Sequence, residues 1–183
     1  SILYENRHHL NTEGVHYSGY VENEINPKHK WLSESLLKGN ISNLDKFLSD
    51  SENYNRLILS DESLTNDFYN FDVESISEFA EKLNKGRWLS ICFVDRDIET
   101  WAKSYYKQAI VNPPNSRMPF YSTSKSFDEF VKDSFVSRLL DRGQLYDDLR
   151  SNLGGLVETF SYETHTPAEI AEWCAGRALT PGN

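Results

Sequence analysis

The sequence predicts an α/β protein in which a three-layer, largely parallel sheet is flanked by helices. Short apolar stretches alternate with segments of helical periodicity, so each strand would reach its neighbour through a long crossover. The clearest unit is 88–108, where an apolar run ends at Asp95-Arg96-Asp97 and a helical pattern begins directly after it. This run predicts a buried strand. With 183 residues, the chain is long enough for a hydrophobic core, and we expect a single domain over 1–183.

Each of the other elements is predicted from a local pattern. Pro27 suits the start of a helix that ends at Gly39, and Thr166-Pro167-Ala168-Glu169 has the pattern of a capping box. The expected helices cover residues 2–12, 27–39, 42–49, 73–83, 98–110, 127–141, 144–153 and 166–178. The expected strands cover residues 15–17, 57–59, 88–94 and 156–162.

Composition narrows the function classes. The formal charge is −9 and the pI about 5.0, which disfavours a general nucleic-acid binder because such proteins need a basic face. No apolar run approaches the length of a membrane span, and the N-terminal residues lack the apolar core of a signal peptide. Two cysteines disfavour a disulfide framework, so we expect a cytoplasmic location. His8 and His9 are adjacent and would face different directions on a helix, and no other spacing suggests a metal.

Arg96 and Ser104 form the strongest candidate binding site. Arg96 directly follows the strand, and ligands bind at the carboxyl ends of strands in open α/β sheets. Ser104 lies eight residues later, about two helical turns on, and helical side chains lean back toward the helix start. A guanidinium and a hydroxyl that converge there suit a phosphate. The alternative interpretation is a surface ion pair beside a helix cap.

The segment FVDRDIETWAKSYYKQ resembles the 3′-phosphate-binding signature of the sulfotransferases that use 3′-phosphoadenosine 5′-phosphosulfate (PAPS). Arg96 and Ser104 match the arginine and serine of that signature in type and spacing. Further stretches are similar to segments of bacterial and phage-type carbohydrate sulfotransferases in the same order along the chain: ENRHHLNTEGVHYSGY, NPKHKWLSESL, LILSDESL, SFDEFVKD and the strand that ends in Tyr162-Glu163.

The resemblance implies a truncated P-loop-NTPase-like sulfotransferase fold, with PAPS as co-substrate and a carbohydrate or a similar small molecule as acceptor. It implies that Arg96 and Ser104 hold the 3′-phosphate and that Ser60 lines the cofactor cleft. His29 is the first candidate for the general base and Glu62 the second. For His29 the alternative is a solvated helix residue, and for Glu62 a carboxylate at a helix N-terminus. Arg117 lies in the long polar loop 112–126 and is a weaker candidate for contact with an anionic acceptor.

The family's glycine-rich loop for the 5′-phosphosulfate has no counterpart in this sequence. We therefore expect a domain that is incomplete at both ends, either a fragment of a longer protein or a shortened homologue. In the second case, the alternative function is a non-catalytic binding or interaction module of the same ancestry. Another nucleotide-dependent transferase, such as a kinase, is a further alternative. The sequence has neither a Gly-x-Ser-x-Gly elbow nor a Gly-x-Gly-x-x-Gly fingerprint, which disfavours α/β-hydrolases and dinucleotide-binding folds.

Overall fold

A computed structural model describes residues 2–17, 29–61, 63–86, 88–115 and 118–176, and this part of the chain is mixed α/β. Its strands are β1 (Val15–His16), β2 (Arg56–Leu57), β3 (Ser90–Asp95) and β4 (Leu156–Ser161). Its helices are α1 (Ile2–Glu5), α2 (Arg7–Thr12), α3 (Trp31–Lys38), α4 (Ser42–Asp50), α5 (Ser63–Asp67), α6 (Val73–Asn84), α7 (Ile98–Val111), α8 (Phe127–Phe130), α9 (Ser134–Leu140), α10 (Arg142–Leu153) and α11 (Pro167–Ala175), with a 3₁₀ turn at Phe68–Asn70.

The strands form two parallel pairs, β1 with β2 and β3 with β4. Parallel pairing through helical crossovers is therefore confirmed. Each pair is a separate two-stranded sheet within the described ranges, so the larger three-layer sheet stays a prediction. The chain divides into two compact units. The expectation of one domain also stays a prediction.

The first unit contains the described residues up to Lys85 and those from Thr164 onward. In its β1–β2 pair, Val15 lies opposite Arg56, and the Ile58 amide donates to the His16 carbonyl at 3.0 Å. Arg56 also donates from Nη1 to the Cys174 carbonyl near the end of α11 (3.3 Å). One buried apolar cluster of this unit joins α1, α2, the β1–β2 pair with the residues that follow each strand, and α11; it contains Leu3, Leu10, Val15, Tyr17, Ile58, Ala171 and Ala175.

The second unit is Gly86–Glu163. Its β3–β4 pair runs in register from Ser90↔Leu156 to Asp95↔Ser161. Helix α7 leaves the end of β3 and buries Ala102, Tyr105 and Ala109, which recur at helical spacing on one face. This strand, turn and helix are the elements that position the candidate site.

Some predicted boundaries are wrong. The helix expected over 2–12 is divided at Asn6, which adopts φ −89° and ψ 2°. The helix expected over 127–141 is also two helices, because the Asp133 side chain accepts the Phe135 amide and starts α9 anew. The buried strand expected over 88–94 is observed as β3, of which Phe93 is buried while the other residues are half-buried or exposed, and Trp88 precedes it and is 98% exposed. Pro27, proposed as a helix start, and Ala178, proposed as a helix end, lie outside the described residues.

Candidate functional site

The carboxyl ends of β3 and β4 bring Arg96 and Tyr162 together. Because Asp95 and Ser161 are in register, the next residue of each strand lies beside the other, and the Tyr162 amide donates to the Asp95 carbonyl at 2.8 Å. The Arg96 Cζ atom lies 4.4 Å from the centroid of the Tyr162 ring, and both residues are exposed. Stacking covers one face of the guanidinium but leaves the N–H donors at its edge uncovered.

No described residue forms an ion pair or a side-chain hydrogen bond with the Arg96 guanidinium. The interpretation of Arg96 as one half of a surface ion pair therefore finds no support in the described part of the chain. The helix cap in that interpretation is confirmed, because Asp97 Oδ1 accepts the Thr100 amide at 2.8 Å.

Carboxylates around Arg96 are held by local donors. Glu163 Oε1 accepts the Asp97 amide at 3.0 Å and Oε2 accepts the Ser161 hydroxyl at 2.9 Å, which ties the end of β4 to the start of α7. Hydrogen bonds from Thr100 lower the pKa of Asp97, and the backbone hydrogen bond from Asp97 lowers the pKa of Glu163. Both groups are therefore ionised and already engaged at neutral pH.

Ser104 lies on α7, seven residues after the Asp97 cap. Seven residues turn an α-helix through about 700°, so Ser104 returns to within about 20° of the direction of Asp97, about 10 Å along the axis. Ser104 is exposed, and its hydroxyl makes no hydrogen bond with any described residue. The Arg96 guanidinium thus belongs to the carboxyl edge of the strand pair, and the Ser104 hydroxyl to the helix that leaves this edge. Their convergence on one phosphate stays a prediction.

Behind this edge, Asp95 contacts Arg142 and Tyr146 of α10. Asp95 Oδ2 accepts the Tyr146 hydroxyl at 2.7 Å, and Oδ1 lies 3.4 Å from Arg142 Nε. Burial raises the pKa of Tyr146, with a further contribution from its hydrogen bond to Asp95. Burial lowers the pKa of Arg142, and Asp95 opposes that effect.

His29 and Ser60 lie together in the first unit. The Ser60 amide donates to His29 Nδ1 at 2.9 Å, and the His29 amide donates to the Ser60 carbonyl at 2.7 Å. The imidazole is fully buried and makes edge contacts with Tyr17, Trp31 and Phe47. Because the imidazole is fully buried, the alternative interpretation of His29 as a solvated helix residue is wrong.

The bond from Ser60 determines which nitrogen of a neutral His29 carries the proton. Because Nδ1 accepts, the proton of a neutral ring is on Nε2, so the ring is a donor at Nε2 in this arrangement. A general base needs an open acceptor nitrogen, and the catalytic role of His29 stays a prediction. Ser60 uses its backbone in this contact, and its role in a cofactor cleft also stays a prediction.

Glu62 and Arg117 lie outside the described residues. The neighbouring Asp61 is described and was not singled out from the sequence. Its Oδ2 accepts the Ser33 amide at 2.9 Å and its Oδ1 accepts the Ser63 amide at 2.8 Å, so one carboxylate holds the starts of α3 and α5.

Among the cavities formed by the described residues, two have linings that include neither Arg96 nor His29. A cavity of about 160 Å³ in the first unit is lined by residues of α3, by Asn40 and by the first two residues of α4, Ser42 and Asn43. An open cavity of about 480 Å³ in the second unit is lined by residues 119–125 and Asp133. In the same part of the chain, no cluster of three or more histidine, cysteine or acidic side chains is arranged to hold a metal, and no helix is both long and apolar enough to cross a membrane.

Tyr162 and Arg142 are neighbours of the Arg96 region that the sequence motifs did not indicate. A signal for Tyr162 was present, since parallel strands that end at matching positions place their next residues side by side. Arg142 had no such signal, because no sequence pattern indicates that the start of α10 packs against Asp95.

Comparison with known proteins found no match: no protein-family model fits the chain, and no curated protein or solved structure is similar to it at a significant level.

Proposed function

We propose that this chain binds the 3′-phosphate of an adenosine nucleotide through Arg96 and Ser104, as part of a PAPS-dependent sulfotransferase that acts on a hydroxyl of a carbohydrate or a similar acceptor. The observation that carries the proposal is the exposed guanidinium of Arg96, which stacks on Tyr162 with its edge donors uncommitted among the described residues. It lies at the carboxyl end of a parallel strand pair, which is the usual ligand edge of α/β folds.

Arginine stacked on an aromatic ring is well suited to phosphate recognition. The ring restricts the plane of the guanidinium, so less side-chain entropy is lost when a phosphate accepts two parallel N–H bonds from it. The Ser104 hydroxyl supplies a further donor from α7. The neighbouring carboxylates of Asp97 and Glu163 already accept protein donors, so they do not compete for Arg96 in the described residues.

In the proposed reaction, the bond from sulfur to the bridging oxygen of the 5′-phosphate breaks and a bond from sulfur to the acceptor oxygen forms. The acceptor proton passes to a base, and adenosine 3′,5′-bisphosphate leaves with the electron pair. Arg96 and Ser104 fix the nucleotide so that the transfer can proceed in line. His29 and Glu62 are the proposed bases, and Ser60 the proposed lining residue of the cofactor cleft. The fold that we propose around this site contains a three-layer, P-loop-NTPase-like sheet.

Calorimetric titration tests this function with the nucleotides themselves. The wild-type protein should bind adenosine 3′,5′-bisphosphate more tightly than AMP, which lacks the 3′-phosphate. Arg96→Ala should reduce that preference by about 1.5–3 kcal/mol, the value of a hydrogen bond to a charged group. Arg150→Ala is the matched control, because Arg150 is exposed on α10 and pairs with Asp147. Equal affinity of the wild-type protein for the two nucleotides would contradict the proposal.

A second candidate function is a nucleotide-binding module of the same ancestry without transfer activity. Two features of His29 favour this candidate. Its side chain is fully buried, and its Nδ1 atom already accepts the Ser60 amide, so the imidazole presents no nitrogen that could take a proton from a substrate hydroxyl in this arrangement. Transfer of a labelled sulfuryl group from PAPS to monosaccharide or oligosaccharide acceptors distinguishes the two. Transfer that Glu62→Gln abolishes supports the enzyme, whereas selective binding of the bisphosphate without transfer supports the module.

A further inference from the structure

Asp95 places a carboxylate directly beside the proposed phosphate-binding arginine. Its Oδ1 accepts the backbone amide of Arg96 at 2.9 Å, and its side chain is about 29% exposed. A negative charge in this position repels an incoming phosphate unless it is neutralised, because like charges interact more strongly at a protein surface than in bulk water. The proposed site therefore needs a partner for Asp95.

Arg142 is the cation that faces this carboxylate. Its Nε atom lies 3.4 Å from Asp95 Oδ1, and its side chain is only 13% exposed. The Cζ atom lies 4.7 Å from the ring centroid of Trp101 and 5.6 Å from that of Phe93, so aromatic faces hold the guanidinium in place.

Neither Nε nor Nη1 of Arg142 donates a hydrogen bond to a described residue, although both atoms are buried. Among the residues that the structure describes, Asp95 is the carboxylate that forms an ion pair with Arg142. The pairing therefore neutralises Asp95 without a competing acceptor. The Tyr146 hydroxyl completes the arrangement by donating to Asp95 Oδ2 at 2.7 Å.

We infer that Arg142 is a positioning residue for the Arg96 site: it neutralises Asp95 and, with Tyr146, holds that carboxylate against the Arg96 amide, so that the end of β3 accepts a phosphate. This inference rests on the proposed function. Arg142 acts through Asp95 and does not itself contact the nucleotide. Its essential property is therefore its positive charge opposite Asp95. Removal of Arg142 alone should lower the affinity for the nucleotide, and removal of the Asp95 charge as well should restore it.

A charge-compensation experiment tests this inference. The variants are Arg142→Met, Asp95→Asn and the double variant, because methionine keeps an apolar contact with Trp101 and asparagine keeps an acceptor for the Arg96 amide. Arg150→Met on the same helix makes the same change in net charge away from Asp95. Affinities for adenosine 3′,5′-bisphosphate and AMP are measured by calorimetry at low and moderate salt.

Arg142→Met should lower the affinity for the bisphosphate about tenfold at low salt and less at moderate salt, as expected for one uncompensated charge close to the ligand. The double variant should return to within about threefold of wild type, and Arg150→Met should stay within the same range, because neither leaves a bare carboxylate beside Arg96. AMP affinity should change much less than bisphosphate affinity in every variant.

The possible failures are distinguishable. A wild-type protein that does not prefer the bisphosphate overturns the proposed function and this inference with it, before any variant is compared. A selective wild-type protein with an unchanged Arg142→Met variant overturns the inference alone. A double variant as weak as Arg142→Met also overturns it, because Arg142 would then act through packing rather than charge. If Arg142→Met does not fold, Arg142→Gln with and without Asp95→Asn makes the same comparison.

Discussion

Gly155→Ala should weaken the β3–β4 pair on which the candidate site is built. Gly155 has φ +100° and precedes β4, where the Leu156 amide donates to the Leu89 carbonyl at 3.1 Å. A Cβ atom at this position would clash with the Leu89 carbonyl oxygen, which is backbone and cannot rotate away. An alanine at a left-handed φ costs about 1–2 kcal/mol, and the clash adds about 1–2 kcal/mol of backbone displacement, so the expected loss is about 2–4 kcal/mol.

Amide hydrogen exchange of residues 90–95, followed by mass spectrometry, measures this loss locally. Exchange in β3 should accelerate about 30-fold for each 2 kcal/mol of lost stability. Gly143→Ala is the matched control: Gly143 lies within α10, and the nearest atom to its added Cβ is Asp141 Oδ1 at 3.7 Å. Alanine there should stabilise the helix by up to about 1 kcal/mol. Wild-type exchange rates in Gly155→Ala would refute the argument from backbone geometry.

Two further predictions concern His16 and Tyr162. Burial lowers the pKa of His16 below 6.5, with Asp50 opposing, and both ring nitrogens lack a hydrogen-bond partner among the described residues. The unfolded chain therefore binds a proton that the folded chain does not, so the free energy of unfolding in urea should fall as the pH drops below about 6.5. His16→Leu should lose this pH dependence, and His8→Gln, at an exposed position, should keep it. Tyr162→Leu should reduce the preference for adenosine 3′,5′-bisphosphate over AMP by about 0.5–1 kcal/mol, the value of an exposed cation–π contact, whereas Tyr162→Phe should retain that preference. Equal losses in the two variants, measured by calorimetry, would contradict the stacking argument.

The sequence predicted the local elements well because their signals are local. The capping box at Thr166 and Glu169 is present, and Gly39 ends α3 in a left-handed conformation with φ +65°. The apolar run before Asp95 and the periodic helix after it appear as β3 and α7. In these places neighbouring residues alone fix the backbone.

Contacts between distant segments were less accessible from the sequence. The burial of His29 depends on Ser60, 31 residues away, and on aromatic rings from three places in the chain. The sequence therefore offered a general base or a solvated helix residue at His29, but not a fully buried side chain. The break at Asp133 was missed for another reason: an aspartate inside a long helical pattern also fits an exposed helix position, and only its bond to the Phe135 amide marks a new start.

For the candidate site, the sequence identified Arg96 but not what holds it. Its place after the strand followed from the motif, whereas the stack on Tyr162 required the register of β4 against β3. Arg142 illustrates the same limit, since the charge opposite Asp95 comes from the first residue of α10.

The most direct test of the central claim is a crystal structure of the protein with adenosine 3′,5′-bisphosphate bound. We expect the 3′-phosphate to lie within about 3 Å of both the guanidinium nitrogens of Arg96 and the hydroxyl of Ser104, as hydrogen bonds require. A bound nucleotide whose 3′-phosphate points into solvent, or one that binds away from the ends of β3 and β4, would contradict it.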